Sequence, residues 1–315
     1  MIVGKVMVTG GAGFIGSYLV DRLVEEGKDV VVYDDLSSGK KEFIEEQIKS
    51  EKIEFVLGDM LNIEKLNESM MGVSEVWHLA ANPDVRSGSS DTKVHLEQNI
   101  IATHNLLETM RKNGVRSIFF TSTSTVYGEA SVIPTSEDYG PLKPISLYGA
   151  SKLAAEALIS SYCYTFDMET VFYRFANVIG KRSTHGVIYD FVNKLRKNPK
   201  ELEILGDGNQ CKSYFLINDC IDGMLFGAER REERVEIYNI GSEDMITVKE
   251  LAKIVVDGMG LQDVKFTYTG GVDGGRGWKG DVKVMQLSIE KLKNIGWMPE
   301  YNSSEAVEKT ALELV

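Results

Sequence analysis

The sequence is poor in cysteine, in long apolar runs and in positive charge. Its 315 residues hold three cysteines, Cys163, Cys211 and Cys220, scattered and without a CxxC pair. They make neither a disulfide framework nor a zinc site, and they suit a reducing, cytoplasmic compartment. No apolar run approaches the roughly 18 residues of a membrane span. The glycine-punctuated start, MIVGKVMVTGGAGFIG, lacks the cleavage-site pattern of a secretory signal. Basic residues number 35 against 47 acidic ones, a net charge of −12. That balance disfavours non-specific nucleic-acid binding, which needs phosphate-neutralising charge. It leaves room for an anionic small molecule where basic residues converge. There is no internal repeat and no low-complexity segment.

What is present is an ordinary globular composition, 43% hydrophobic and 26% charged, long enough for a large core. Short apolar runs recur through the first half: Lys5–Thr9, Val30–Asp35, Glu54–Asp59, Glu75–Ala81 and Ser117–Thr123, then Thr170–Val178. Between them lie segments of helical spacing, among them Phe14–Glu26, Val94–Asn113 and Leu147–Phe166. Strand–helix alternation at this spacing predicts an α/β fold, a doubly wound parallel sheet with helices on both faces. After Val178 the chain turns to loops rich in Gly, Asn and Lys. The expected organisation is a Rossmann-type domain over residues 1–178, joined by a returning strand near 235–240, with a smaller α/β substrate lobe over 179–315. Arg230–Arg234 reads as a solvated charged turn.

The first run leads into Thr9-Gly10-Gly11-Ala12-Gly13-Phe14-Ile15-Gly16. Glycines at 10, 13 and 16 let a turn close, let the backbone approach a pyrophosphate and let helix pack on strand, with the phosphates at the positive helix end. Asp34 ends the second run, 18 positions after Gly16. A carboxylate there accepts hydrogen bonds from an adenosine ribose and repels a 2′-phosphate, which favours NAD over NADP. Asp34 or Asp35 could instead cap the turn that follows. Asp59 ends the third run, as an adenine-edge residue or only a turn former.

Tyr148 and Lys152 are spaced i, i+4, on one helix face. A neighbouring ammonium is expected to lower a phenol pKa from about 10 towards neutrality, so that Tyr148 takes a proton from an alcohol while hydride leaves its carbon. The hydroxyl cluster Thr121–Thr125 ends the fifth run, where open α/β sheets place their ligands.

The glycine cradle, Asp34, His78-Leu79-Ala80-Ala81, Thr123…Tyr127-Gly128 and Tyr148xxxLys152 occur in the order of the extended short-chain dehydrogenase/reductases. Arg174–Gly180, Leu205–Gln210, Asp219 and Arg276…Gly280-Asp281 continue the match over essentially the whole chain. The sequence resembles the NAD-dependent sugar-nucleotide epimerases and dehydratases of that family, and most of all the UDP-glucose (UDP-galactose) 4-epimerases of archaeal type. The resemblance implies that Gly10, Gly13, Phe14, Ile15 and Gly16 line the pyrophosphate and that Asp34 holds the ribose. Asp59 and Met60 would meet the adenine, and Ala80, Ala81 and Asn99 the nicotinamide half. Thr123, Tyr148 and Lys152 would be catalytic, with Tyr148 and Lys152 also touching the cofactor. Asn177, Lys212 and Arg276 would join Thr123 in binding a nucleotide sugar, and Met285 would gate the space at the sugar C2, unless it is ordinary core filling.

No metal is implied. A homodimer through the helices Val94–Asn113 and Leu147–Phe166 is implied, although one broad core face would also explain the first of these. Four positions depart from the family. Ser124 and Thr125 stand where 4,6-dehydratases and UDP-glucuronate decarboxylases tend to carry acids, so the acid that expels a C6 hydroxyl is missing. Lys212 replaces a common Arg and loses its bidentate fork. Lys181 replaces a usual Pro. The expectation is therefore redox-neutral 4-epimerisation of UDP-glucose and UDP-galactose. Another NAD-dependent epimerase, dehydrogenase or reductase, or a non-catalytic dinucleotide sensor, are the alternatives.

Overall fold

The computed structural model describes residues 4–315. Seven strands, β1 (Lys5–Thr9), β2 (Val30–Asp34), β3 (Ile53–Leu57), β4 (Val73–His78), β5 (Ser117–Thr123), β6 (Glu169–Phe175) and β11 (Val235–Ile240), form one parallel sheet. Its order is β11-β6-β5-β4-β1-β2-β3. The expected doubly wound sheet is thus present, with the order reversing at β1 and β4, the switch point where such sheets bind ligands. The apolar runs located these strands to within three residues at either end. The run Thr170–Val178 is broken at Ala176, so that β6 stops and β7 (Asn177–Ile179) begins separately, paired in parallel with β10 (Tyr214–Leu216).

Contacts group the chain into two compact units. The first comprises the chain up to Thr123, Leu147–Tyr173 and Leu225–Tyr238; the second comprises Ser124–Ser146, Arg174–Met224 and Asn239–Val315. The expected division, 1–178 with 235–240 against 179–315, follows chain order. Grouping by contact takes the excursion Ser124–Ser146 into the second unit, where Thr135 bridges Leu287.

In the first unit, α1 (Phe14–Glu25), α2 (Glu45–Lys49), α3 (Ile63–Ser69), α4 (Ala102–Asn113) and α5 (Leu147–Phe166) flank the sheet. Leu66, Leu106, Leu107, Met110, Ile159 and Cys163 from α3, α4 and α5 close over Met7, Val31, Ile118 and Phe120. Each of these side chains contributes about 1.5–3 kcal/mol by leaving water. The expected helix Val94–Asn113 is not regular: Leu96–Ile101 is wound as a π-helical turn before α4 begins. Such bulges insert one residue and are frequent at functional sites. This one carries Asn99.

In the second unit, β8 (Glu201–Ile204) pairs β13 (Lys265–Tyr268), and β9 (Cys211–Lys212) lies between β12 (Ile246–Thr247) and β14 (Val284–Met285). Helices α6 (Val187–Lys197), α8 (Val248–Gly258) and α10 (Ser303–Leu314) enclose a second core of Ile188, Phe191, Leu202, Ile204, Leu251, Val255 and Val307. Helix α7 (Ile217–Glu229) runs through residues of both units, and α9 (Glu290–Asn294) is short. Capping boxes start α8 at Thr247 and α10 at Asn302. The three cysteines are free thiols. No helix of the described residues is long and apolar enough to cross a membrane.

The turn after β1 tolerates no side chain at its tightest point. A Cβ at Gly16 would lie 2.2 Å from the Gly10 carbonyl oxygen and 2.8 Å from the Gly11 Cα, both backbone atoms. Gly16→Ala is therefore expected to cost about 2 kcal/mol or more of stability. Chemical denaturation measures it directly, and a midpoint equal to wild type would show that the turn can open.

Candidate active site

The nucleotide cradle follows from β1 running into α1. Gly10 takes φ +70°, and a Cβ there would come within 2.6 Å of the Ala80 amide nitrogen. The backbone of β1 and the segment after β4 therefore touch at this point. No side chain caps the start of α1, where Gly13 is the N-cap. A Cβ at Gly13 would meet only the Gly10 carbonyl oxygen, at 3.1 Å. Open space above a helix start whose first N–H groups lack intrahelical partners fits a pyrophosphate. The residues present fit NAD on that ground.

Asp34, 7% exposed, accepts from the Ala12 N–H at 3.0 Å and the Leu36 N–H at 2.8 Å. Burial raises its pKa, and these two N–H groups oppose the rise. It thus ties the cradle to the turn after β2, and an ionised carboxylate keeps further lone pairs for a ribose. Asp35 caps Ser37 at 2.8 Å, so both acids hold the turn. The Asp59 side chain accepts from the Leu61 N–H at 2.8 Å, a turn former, while its carbonyl accepts from Tyr33 Oη at 3.0 Å. Met60 is 5% exposed and packs in the first core. Ala80 and Ala81 are partly buried in the segment after β4.

Asn99 is fully engaged within the protein. It accepts from the Asn82 N–H at 2.8 Å and donates to Ser151 Oγ at 2.9 Å and to His95 Nδ1 at 3.3 Å. Ser151 Oγ in turn donates to the Tyr148 carbonyl at 2.8 Å, and the His95 ring meets the Tyr148 ring edge-on at 5.7 Å. Sequence reasoning missed His95 and Ser151, since neither carries a motif. Only their distance from Tyr148 and Asn99 in the folded chain reveals them.

Thr123 and Tyr148 share a hydrogen bond, while burial pushes the Tyr148 phenol up to about 12 and this bond pulls it down. The expected pull of the neighbouring ammonium towards neutrality does not emerge in the protein by itself, where desolvation is the largest influence on the phenol. Lys152 is 3% exposed, with Nζ 4.3 Å from the Phe120 ring centroid. Burial pulls its ammonium down to about 7, and Glu156 opposes that. Glu156, 4% exposed, accepts from Ser122 Oγ at 2.5 Å. It was also missed, although extending the i, i+4 stripe from Tyr148 through Lys152 reaches it. Thr123, Tyr148 and Lys152 are thus brought together in the first unit, on the end of β5 and the start of α5.

His78 is 1% exposed, between Thr9 Oγ1 at 2.8 Å and Thr103 Oγ1 at 3.0 Å. Thr103 donates to the Asn99 carbonyl at 2.6 Å, so its oxygen receives the His78 Nε2–H, and Nδ1 accepts from Thr9.

The four remaining site residues lie in the second unit. Asn177 donates to the Ser213 carbonyl at 2.9 Å. Lys212 Nζ is 2.6 Å from Asp281 Oδ1 and 5.5 Å from the Trp278 ring centroid. Arg276 pairs with Glu129 at 2.5 Å and donates to the Asp281 carbonyl at 2.6 Å. Lys212 and Arg276 therefore converge on Asp281, each matched by a carboxylate. Met285 is 9% exposed in β14 and stands in register with Lys212. Its burial is what core filling also requires. Among the described residues no group of three or more His, Cys, Asp or Glu could hold a metal ion.

A parallel sheet with a glycine cradle at its switch point and a Thr–Tyr–Lys set beside it defines a dinucleotide-dependent enzyme of the Rossmann type. The chain belongs to the NAD dependent epimerase/dehydratase family, whose model matches residues 6–241. It is 34% identical over 312 residues to a protein of Methanocaldococcus jannaschii provisionally named UDP-glucose 4-epimerase, covering 96% of each chain. A crystal structure of UDP-galactose 4-epimerase superposes with a TM-score of 0.87 at 41% identity, covering 98% of both chains. UDP-glucuronic acid 4-epimerase from Bacillus cereus, solved with UDP-glucuronic acid and NAD, gives 0.88 at 28% identity, also covering 98% of each.

The neutral His78 makes a pH prediction. Burial, with the Lys152 charge, lowers its pKa to about 3, against about 6.5 when unfolded. Between those values the unfolded chain binds the extra proton, so stability falls as pH falls from about 6.5, by up to about 1.4 kcal/mol per unit. Thermal unfolding of wild type and His78→Asn between pH 7 and 4 tests this. The wild type should lose stability more steeply, and parallel slopes would refute it.

Proposed function

We propose that this protein is a UDP-glucose 4-epimerase, interconverting UDP-glucose and UDP-galactose through a 4-keto intermediate. The observation that carries the reading is the Thr123–Tyr148 hydrogen bond beside the buried Lys152, in a family of NAD-dependent epimerases and dehydratases. When bound, NAD would supply the hydride acceptor and a positive charge that favours the Tyr148 phenolate. Gly10, Gly13, Phe14, Ile15 and Gly16 hold its pyrophosphate. Asp34 would take the ribose, Asp59 and Met60 the adenine, and Ala80, Ala81 and Asn99 the nicotinamide half.

Tyr148 removes the proton from the C4 hydroxyl, with Thr123 donating to the phenolate and Lys152 adding charge and a ribose contact. Asn177, Lys212 and Arg276 bind the diphosphate, so the nucleotide anchors the substrate while the sugar turns over between hydride departure and return. Remote binding energy spent in this way leaves the reacting ring free. Ser124 and Thr125 offer no carboxyl to expel a C6 hydroxyl, which supports epimerisation over dehydration. The alternative within the family is epimerisation of a related UDP-sugar. Met285 as gate predicts that N-acetyl sugars enter more slowly than plain ones. Leu96, 48% exposed, and Tyr164, 69% exposed, lie on the two helices of the expected homodimer and support it as the working assembly, while three free thiols fit a reducing cytoplasm.

The test is direct. The purified protein should release NAD(H) rather than NADP(H) on denaturation and convert UDP-galactose without added cofactor. Tyr148→Phe should keep the fold by circular dichroism and lose about 10²-fold or more in kcat, the scale of a lost general base. Near-normal turnover in that variant, or recovery of NADP(H), would overturn the reading.

A further inference from the structure

The stripe that carries Tyr148 and Lys152 does not stop there. Along α5, Tyr148, Lys152 and Glu156 follow one another at i, i+4 and i+8, on one face of the helix. Strand β5 supplies matching groups from residues two apart, which share a strand face. The Phe120 ring lies 4.3 Å from Lys152 Nζ, and Ser122 Oγ donates to Glu156 Oε1 at 2.5 Å. Glu156 is 4% exposed and Lys152 is 3% exposed. A carboxylate withdrawn from water to this degree costs several kcal/mol unless a partner compensates it.

We propose that Glu156 is a positioning residue for the reaction: its buried carboxylate, aimed by Ser122, keeps Lys152 in the ammonium form on which Tyr148 depends. This rests on the reading of Tyr148 as the base and Lys152 as its cationic partner. The electrostatic case is one of opposing forces. Burial alone drives the Lys152 ammonium towards the neutral amine, reaching about 7, and Glu156 is the group that resists. On β4, His78 faces the same ammonium and is itself held neutral, so it adds no positive charge. On β5, the Phe120 ring face favours a cation but carries no net charge. On α5, the Tyr148 phenol is uncharged in the protein alone. Among the described residues, Glu156 is therefore the group whose charge favours the Lys152 ammonium.

The experiment follows kcat, KM and NADH affinity (by fluorescence) from pH 6 to 10 in wild type, Glu156→Gln and Glu156→Asp. The glutamine keeps an acceptor for Ser122 and removes only the charge. The alkaline fall of kcat, and the alkaline weakening of NADH binding, should both move to lower pH by about one unit or more in Glu156→Gln. KM for the nucleotide sugar should stay within about twofold. Glu156→Asp, whose charge is retracted by one methylene, should fall between the two. If Glu156→Gln does not fold, a part-way shift in Glu156→Asp carries the proposal. A merely structural role would lower rates at every pH and leave both alkaline limbs where they are. Unmoved limbs in the variants that fold overturn the proposal. The underlying reading is tested separately: a fully active Tyr148→Phe removes the base itself, whereas unmoved limbs beside an inactive Tyr148→Phe remove only the role of Glu156.

Discussion

A positive charge buried at Lys152 is the constraint on which the site depends. An ammonium that is 3% exposed survives only where its surroundings replace water. The fold meets that need with an aromatic ring from β5 below it and a carboxylate one helical turn further along α5. The same helix face presents Tyr148 to Thr123 at the end of β5. The packing of α5 on β5 therefore sets the geometry and the electrostatics of the proposed base. A slip of one residue along the strand would turn Phe120 and Ser122 to the other face and separate them from Lys152 and Glu156.

The cradle end of the first unit obeys a different constraint, close approach of backbones. Gly10 and Gly16 are required because carbonyl and amide atoms occupy the space of a side chain, and at Gly13 the Gly10 carbonyl oxygen crowds the same space at 3.1 Å. Asp34 fastens the turn to the cradle through the Ala12 and Leu36 N–H groups. Its position is thereby fixed before any ribose arrives. Preorganisation of this kind removes an ordering cost from binding.

Much of this was legible in the sequence. The strands of the central sheet show as apolar runs because a parallel sheet buries both faces. The cradle, Asp34 and the Tyr148–Lys152 pair show because their chemistry demands fixed residue types at fixed spacing. Less legible was whatever depends on tertiary contact. The π-helical turn at Leu96–Ile101 has no simple sequence signal, and it is this turn that carries Asn99 between Asn82, His95 and Ser151. The upward push on the Tyr148 phenol could not be read from the neighbouring lysine, because it comes from burial. In the second unit, Lys212 and Arg276 were legible as cations, but their pairing with Asp281 and Glu129 was not. Those carboxylates lie far away in the chain.

The proposed 4-epimerisation requires that hydride leave C4 of a nucleotide sugar and return to the same carbon within one turnover. It is tested most directly with UDP-galactose carrying deuterium at C4, incubated with the purified protein and followed by proton NMR. The account predicts UDP-glucose that retains the deuterium at C4, with no net formation of NADH. Washout of the label into solvent, or accumulation of a keto sugar with stoichiometric NADH, would contradict it.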